Sequence, residues 1–343
     1  MIRLIVSIFM IFFLLGCSEE VKESKSKEKG SEEKTNLFDT LLKIGEPSPS
    51  EEYECVGEWN GDTIGVDISV PKGITIDKSG FIYFAATGSG SIIKVSPEGK
   101  AVMKIDCYAP RDVALDSKGN IYVVDMTGEE IFVYTPNGEL LKKWGKGKVD
   151  LLNGIAIDSK DNVYVAGGWT YEVTKFTFDG EFISYIGKPR SPSIRPGGGP
   201  SEIFHAEDIA VDSKDNIYVA SWLNQTVQKF SSNGEFLTMW GGRGHANGKF
   251  EKGPIAIAVD SEDNVYVADF EGDIQKFSSN GRFIARFGRE YSKLKKYNDW
   301  YITDVAVDKK GNVYVVYSTM RKYGNGKRDF SGIILIFRKR SGK

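Results

Sequence analysis

Val113-Ala114-Leu115-Asp116-Ser117-Lys118-Gly119-Asn120-Ile121-Tyr122-Val123 is the stretch on which the fold turns. An apolar run closes on an aspartate, a short polar turn follows, and a second apolar run carries a tyrosine in its second place. The phrase returns at Ile74 to Tyr83, Ile155 to Val165, Ile209 to Val219, Ile257 to Val267 and Val305 to Val315. Its anchoring aspartates are Asp77, Asp116, Asp158, Asp212, Asp260 and Asp308, spaced by 39, 42, 54, 48 and 48 residues. Self-similarity at this period marks a repeat architecture, in which each unit buries its apolar faces only against its neighbours. The six aspartates recur with the repeat itself and are assigned to turn structure.

Working outward, each unit contains β-branched and aromatic runs of about five residues between turn residues, which reads as four short strands. The third and fourth are joined by Glu98-Gly99, Asn137-Gly138, Asp179-Gly180, Asn233-Gly234 and Asn280-Gly281. Asn-Gly and Asp-Gly supply the positive φ angles of a tight hairpin that matches strand twist. Four-stranded units repeated around a ring make an all-β, six-bladed β-propeller of antiparallel blades. Ala114, Ala156, Ala210, Ala258 and Ala306 recur in the first strand, where blades converge on the axis. The sixth unit ends on a third strand, Gly332 to Arg338, with almost nothing after it. Val56-Gly57-Glu58-Trp59 matches the outer-strand pattern Leu237-Thr238-Met239-Trp240 and precedes the first unit. The N-terminal strand is therefore expected to complete the last blade.

This phrase, followed by a strand ending in Phe and an Asn-Gly turn, resembles the NHL repeat over roughly residues 52 to 338. The resemblance implies a propeller that serves as a binding platform, although related six-bladed propellers include lyases and hydrolases with a metal at the central channel. NHL units usually continue to an Asp after the Tyr, seen here as Asp125 and Asp269. Ala86, Gly167, Ser221 and Tyr317 depart from that pattern on one rim.

Ahead of the repeats, Arg3 is followed by the apolar run Leu4 to Leu15 and then Gly16-Cys17. That run is short for a bilayer span and has the layout of a signal peptide. The small residue before a cysteine resembles the lipobox of bacterial lipoproteins, which implies cleavage after residue 16, lipidation of Cys17 and an extracytoplasmic place in the cell envelope. Ser18 to Thr35 is built of Ser, Glu, Lys and Thr with one Gly and a single apolar Val21, and reads as a disordered tether. Asn36 to Ile44 suits a short helix ended by Pro47 and Pro49, so residues 17–51 precede a propeller of residues 52–343. Cys55 and Cys107 are the obvious disulfide candidates in that compartment, but strand order puts them at opposite ends of neighbouring outer strands, so a bond is not expected.

Composition narrows the function. The 343 residues carry 45 Lys and Arg against 47 Asp and Glu, a formal charge of -2, so no nucleic-acid partner is expected. His205 and His245 are the only histidines, too few for a His-rich zinc site. Gly248-Lys249 is followed by Phe250, so no phosphate-cradling loop is present, and no Gly-x-Ser-x-Gly elbow occurs. No cofactor is expected, except calcium at the channel mouth.

On a propeller, the loops leaving strand four and those joining strands two and three share one face, and here that face holds the irregular sequence. The tight turns of the opposite face leave little room for a site. Asp112, Asp208 and Asp304 enter strand one in alternate units, where Gly73, Gly154 and Ala256 stand in the others. Three carboxylates around an axis suit calcium; the plainer and preferred role is to hold backbone N–H groups at the loop-to-strand junction. His205 and Glu207 are proton-transfer candidates for an enzymatic alternative, a metal-assisted lyase or hydrolase, against the plainer role of a polar rim. Arg111, Trp169, Tyr171 and Trp222 are candidate contacts on the same face, with inter-blade packing the plainer role of the aromatics; Trp59, Trp144 and Trp240 hold repeated outer-strand positions and read as packing. Residues 188 to 203, 241 to 254, 288 to 301 and 318 to 331 have Lys and Arg in excess of Asp and Glu by 2, 2, 2 and 3. Lys293, Lys295, Lys296, Trp300, Arg321 and Lys322 are thereby candidates for binding an acidic envelope or extracellular protein or an anionic glycan. The plainer account of these loops is a soluble surface. The expected function is a binding module whose only membrane contact is the lipid.

Overall fold

The computed structural model describes residues 51–127, 129–149, 151–168, 171–188, 198–270, 272–289, 300–322 and 328–341. The leader, Cys17, the tether and the Asn36 to Ile44 segment lie outside the described residues. So do Trp169, Lys293, Lys295 and Lys296.

Six four-stranded antiparallel sheets follow one another along the chain. Their first strands are Pro71–Ile76, Pro110–Leu115, Leu152–Ile157, Ala206–Val211, Pro254–Val259 and Trp300–Val307. Each packs on the first strands of both neighbouring blades, blade 6 on blade 1 included, so the sheets close into a ring. The second strands are buried at every described position from Ile82 to Ala86 in blade 1 through Val265 to Asp269 in blade 5. Neighbouring blades cover both faces of each sheet, which is why these strands are continuous apolar runs.

The last blade is closed as expected. Tyr53–Asn60 pairs antiparallel with Arg328–Lys339, Trp59 opposite Ile334. A one-turn helix, Gly61–Ile64, then turns the chain into blade 1. Asn60 caps it, its side-chain oxygen accepting from the Thr63 N–H while the Thr63 hydroxyl accepts from the Asn60 N–H. No disulfide joins Cys55 to Cys107.

Three expectations are corrected. Ser318 to Ser331 is not an irregular loop: Val313–Lys322 and Arg328–Lys339 stay paired through Thr319 opposite Ser331 and on to Lys322 opposite Arg328. The third strand therefore begins well before Gly332, and Arg321 and Lys322 lie in a long hairpin. Polar residues continue that hairpin beyond its apolar run, and the backbone pairing continues with them. Trp300 and Tyr301 likewise begin a strand and are not part of a loop; Trp300 is partly buried against the core shared by blades 5 and 6. The turn face also has more room than expected. A cavity of about 320 Å³ opens there between Asp212, Asp260 and Asp308, because tight turns spread around a ring leave the channel end uncovered.

Each anchoring aspartate is used by its own turn. Asp116 accepts from the Lys118 and Asn120 N–H groups at 2.9 and 2.8 Å, and its second oxygen takes the Asn120 side-chain amide at 2.7 Å. On the same face, clamps join blades 2 to 5. The Ser117, Ser159 and Ser213 hydroxyls and N–H groups donate to Asp161, Asp215 and Asp263 of the next blade at 2.8 to 2.9 Å. Those acceptors sit in the left-handed region at φ 61 to 62°, where Gly80, Gly119 and Gly311 stand in the other blades.

Two features alternate around the ring. Trp59, Trp144 and Trp240, from the outer strands of blades 6, 2 and 4, lie against Gly99, Gly180 and Gly281 in the hairpin turns of blades 1, 3 and 5. A Cβ at any of those glycines would strike the indole. The even-numbered blades also carry the buried aspartates of the channel.

Candidate functional site

The channel mouth is built where the chain enters each first strand. Asp112, Asp208 and Asp304 form its floor and are buried. Asp112 accepts from the Val113 N–H at 2.7 Å and from Ile155 of the next blade at 2.8 Å. Asp208 does the same with Ile209 and Ile257, and Asp304 with Val305 and Ile74. Each carboxylate thus ties its own first strand to the following one. The preceding blade must leave space: a Cβ on Gly73 would collide with Asp112, and one on Gly154 with Asp208. Burial drives all three carboxyls above the usual range, Asp112 to about 6 and the other two well up, with neighbouring carboxylates adding to the rise at Asp208 and Asp304. These oxygens serve backbone N–H groups, and among the described residues no three His, Cys, Asp or Glu side chains are gathered to hold a metal ion. The donor set therefore gives no basis for routing a chemical step through calcium.

One residue earlier in each strand lies the upper ring: Lys72, Arg111, Asn153, Glu207, Ile255 and Thr303. Arg111 of blade 2 reaches Glu207 of blade 4 at 3.0 Å, an ion pair that spans two blades across the mouth. The other Glu207 oxygen lies 3.1 Å from His205 Nδ1. His205 is buried, with a φ of 61°, its ring 5.1 Å from Trp222, and burial lowers its pKa. Asn153 donates to the Ala206 carbonyl at 2.9 Å and Thr303 to the Pro71 carbonyl at 3.0 Å, so both are held by adjoining blades.

Lys72 differs from its neighbours. Its ammonium lies 5.1 Å from the Tyr301 ring centre, and no hydrogen bond or ion pair serves it among the described residues. Burial, with the Arg111 charge adding, lowers its pKa to about 8, against the opposing pull of Glu207.

Of the residues expected from sequence, the structure brings together Arg111, His205, Glu207 and Trp222, above Asp112, Asp208 and Asp304. Tyr171 stacks on Phe204 at 5.0 Å on the blade 3 to blade 4 connection. Trp222 backs the Gly253 turn of blade 5. Lys72 and Tyr301 were missed. Aligning the repeats on the anchoring aspartate and reading one place before Asp112 exposes Lys72 in the same column as Arg111 and Glu207; Tyr301 lacks such a marker.

The fold and this mouth define a six-bladed β-propeller. The streptogramin B lyase structure is similar, at 12% identity with a TM-score of 0.56, covering 85% of this chain and 100% of that one. Virginiamycin B lyase from Staphylococcus aureus superposes with a TM-score of 0.53 at 13% identity, over 81% of this chain and 88% of that one. U3-55K gives 0.53 at 14% identity, over 80% and 83%. At such identities the likeness extends to the fold alone. No protein-family model and no curated protein matches the chain.

Proposed function

We propose that this chain is a lipid-anchored, extracytoplasmic propeller of the NHL type that binds an envelope or extracellular protein or glycan through anionic groups seated at the channel mouth. The Lys72 ammonium carries this reading. It is held beside Arg111 with no counter-ion of its own among the described residues, and the one carboxylate of the upper ring, Glu207, is already paired with Arg111. A carboxylate or sulfate from a partner would supply the missing charge and restore the lysine pKa. At pH 8 Lys72 is about half protonated, so binding should draw in roughly half a proton from buffer. Calorimetry with an oligogalacturonate and with polyglutamate, in buffers of different ionisation heat, measures that uptake. Lys72→Met should lose the uptake and at least about tenfold in affinity. If neither probe binds, or the variant keeps the uptake, the mouth is not an anion site.

A second reading rests on Glu207 bridging Arg111 and His205, an arrangement able to hold and move a proton at His205 Nδ1. It makes the chain a lyase or hydrolase. Quinupristin, present in a solved complex with a catalytically inactive virginiamycin B lyase, is the first compound to try. Formation of a new product by the parent and not by His205→Gln supports this reading; no product from the parent discards quinupristin as the substrate.

The anchor has its own test. Cys17→Ala should abolish fatty-acid labelling and leave the precursor uncleaved; unchanged labelling would overturn the lipoprotein reading.

A further inference from the structure

Exposed large apolar side chains are concentrated on one part of the outer wall. Leu140, Leu141, Phe178, Phe182, Ile183 and Tyr185 are each 43 to 55% exposed. They belong to the outer strands of blades 2 and 3, Leu140–Trp144 and Phe182–Ile186, and to the hairpin preceding the latter. On the outer strands of blades 1, 4 and 6, the exposed large apolar residues are Val102, Leu237 and Val56, one on each strand.

Contacts tie this region together within blade 3 and across to blade 2. Phe182 and Tyr185 rings lie 4.8 Å apart, and Lys142 of blade 2 crosses to blade 3, its ammonium 5.0 Å from the Phe178 ring and bonded to the Phe178 carbonyl at 2.8 Å. The Phe182–Ile186 strand contains no charged side chain. Lys142 and Lys143 are engaged by Asp179 and Glu130. Nothing in these strands selects a strongly charged partner.

We propose that this blade 2 and blade 3 wall is a self-association surface joining two copies of the chain. Half-exposed side chains of this size present about 100 Å² each, roughly 600 Å² together, most of what one partner gives to a standard interface. With Lys142 and Lys143 paired inside the wall, the apolar side chains can meet those of a second copy about a two-fold axis. A bulge between Phe182 and Ser184 bends the start of this outer strand, and the proposed contact is made through side chains.

Photo-crosslinking of the full chain in the cells that make it tests the proposal. Phe182→benzoylphenylalanine should yield an adduct of twice the chain mass, whose peptides map to this chain alone. Adding Leu141→Glu should reduce that adduct at least tenfold while the circular dichroism spectrum stays unchanged. Leu237→benzoylphenylalanine, on the corresponding wall of blade 4, should give no dimer. No adduct at position 182, an adduct with a different protein, or equal yield at position 237 would each overturn self-association through this wall.

Discussion

Three buried carboxyls at one axis make stability depend on pH in a direction opposite to that of most surface acids. Asp112, Asp208 and Asp304 hold protons in the folded state that the unfolded chain releases above about pH 4. Their contribution to stability is full below that point and is lost as pH rises through the folded values, past about 6 for Asp112. Arg111 opposes the shift at Asp112 and Glu207 adds to it at Asp208. His205 works in the other sense: burial lowers its pKa, so it adds stability as pH climbs through about 6.5. Thermal midpoints of Asp208→Asn should therefore fall less steeply than those of the parent as pH rises above about 4. At the acid end the variant should be weaker by about 1 kcal/mol, since one backbone N–H loses its acceptor. Equal slopes would mean that Asp208 titrates normally. At the same scale, Ser159→Ala removes one hydroxyl bond to Asp215 and should cost about 0.5–1.5 kcal/mol in denaturant melts. Asp215→Ala should cost more, because it also leaves a non-glycine residue without local bonds at φ 61°. The reverse order would show that the clamp does not stabilise the joint.

At the scale of elements, the latch is the closing strand. Removing residues through Trp59 strips the last blade of its outer strand, uncovers the edge of Arg328–Lys339 and leaves Gly99 of blade 1 without its indole cover. The truncated chain should unfold with a lower denaturant dependence and aggregate; a monomer as stable as the parent would contradict the latch. The blades, their hairpins and this latch were all legible beforehand, because each is specified by local residues repeated in register: an Asp-to-Asn turn, a Gly at positive φ, a β-branched run. The long hairpin of blade 6 was not legible, since Ser318 to Ser331 is polar and Gly-containing while its pairing is set by the partner strand. The mouth was half legible. Asp112, Asp208 and Asp304 fall in one column and announce themselves by alternation, and their preferred role as holders of backbone N–H groups is the one the hydrogen bonds display. Lys72 shares a column with Arg111 and Glu207, but every blade differs there, so no recurrence marks it as the aspartates are marked.

For the molecule as a whole, the alternation of blades sets a rule of parity. An even blade contributes an aspartate and an outer tryptophan; an odd blade contributes the small residue, the donating N–H and the turn glycine that lies against the indole. Two even blades side by side would drive a carboxylate into a side chain, and two odd ones would leave an N–H without its acceptor. The interchangeable cassette of this ring is therefore a pair of blades. Duplication, deletion or grafting by pairs keeps every junction matched, whereas splicing a single blade spoils one junction wherever the cut is made.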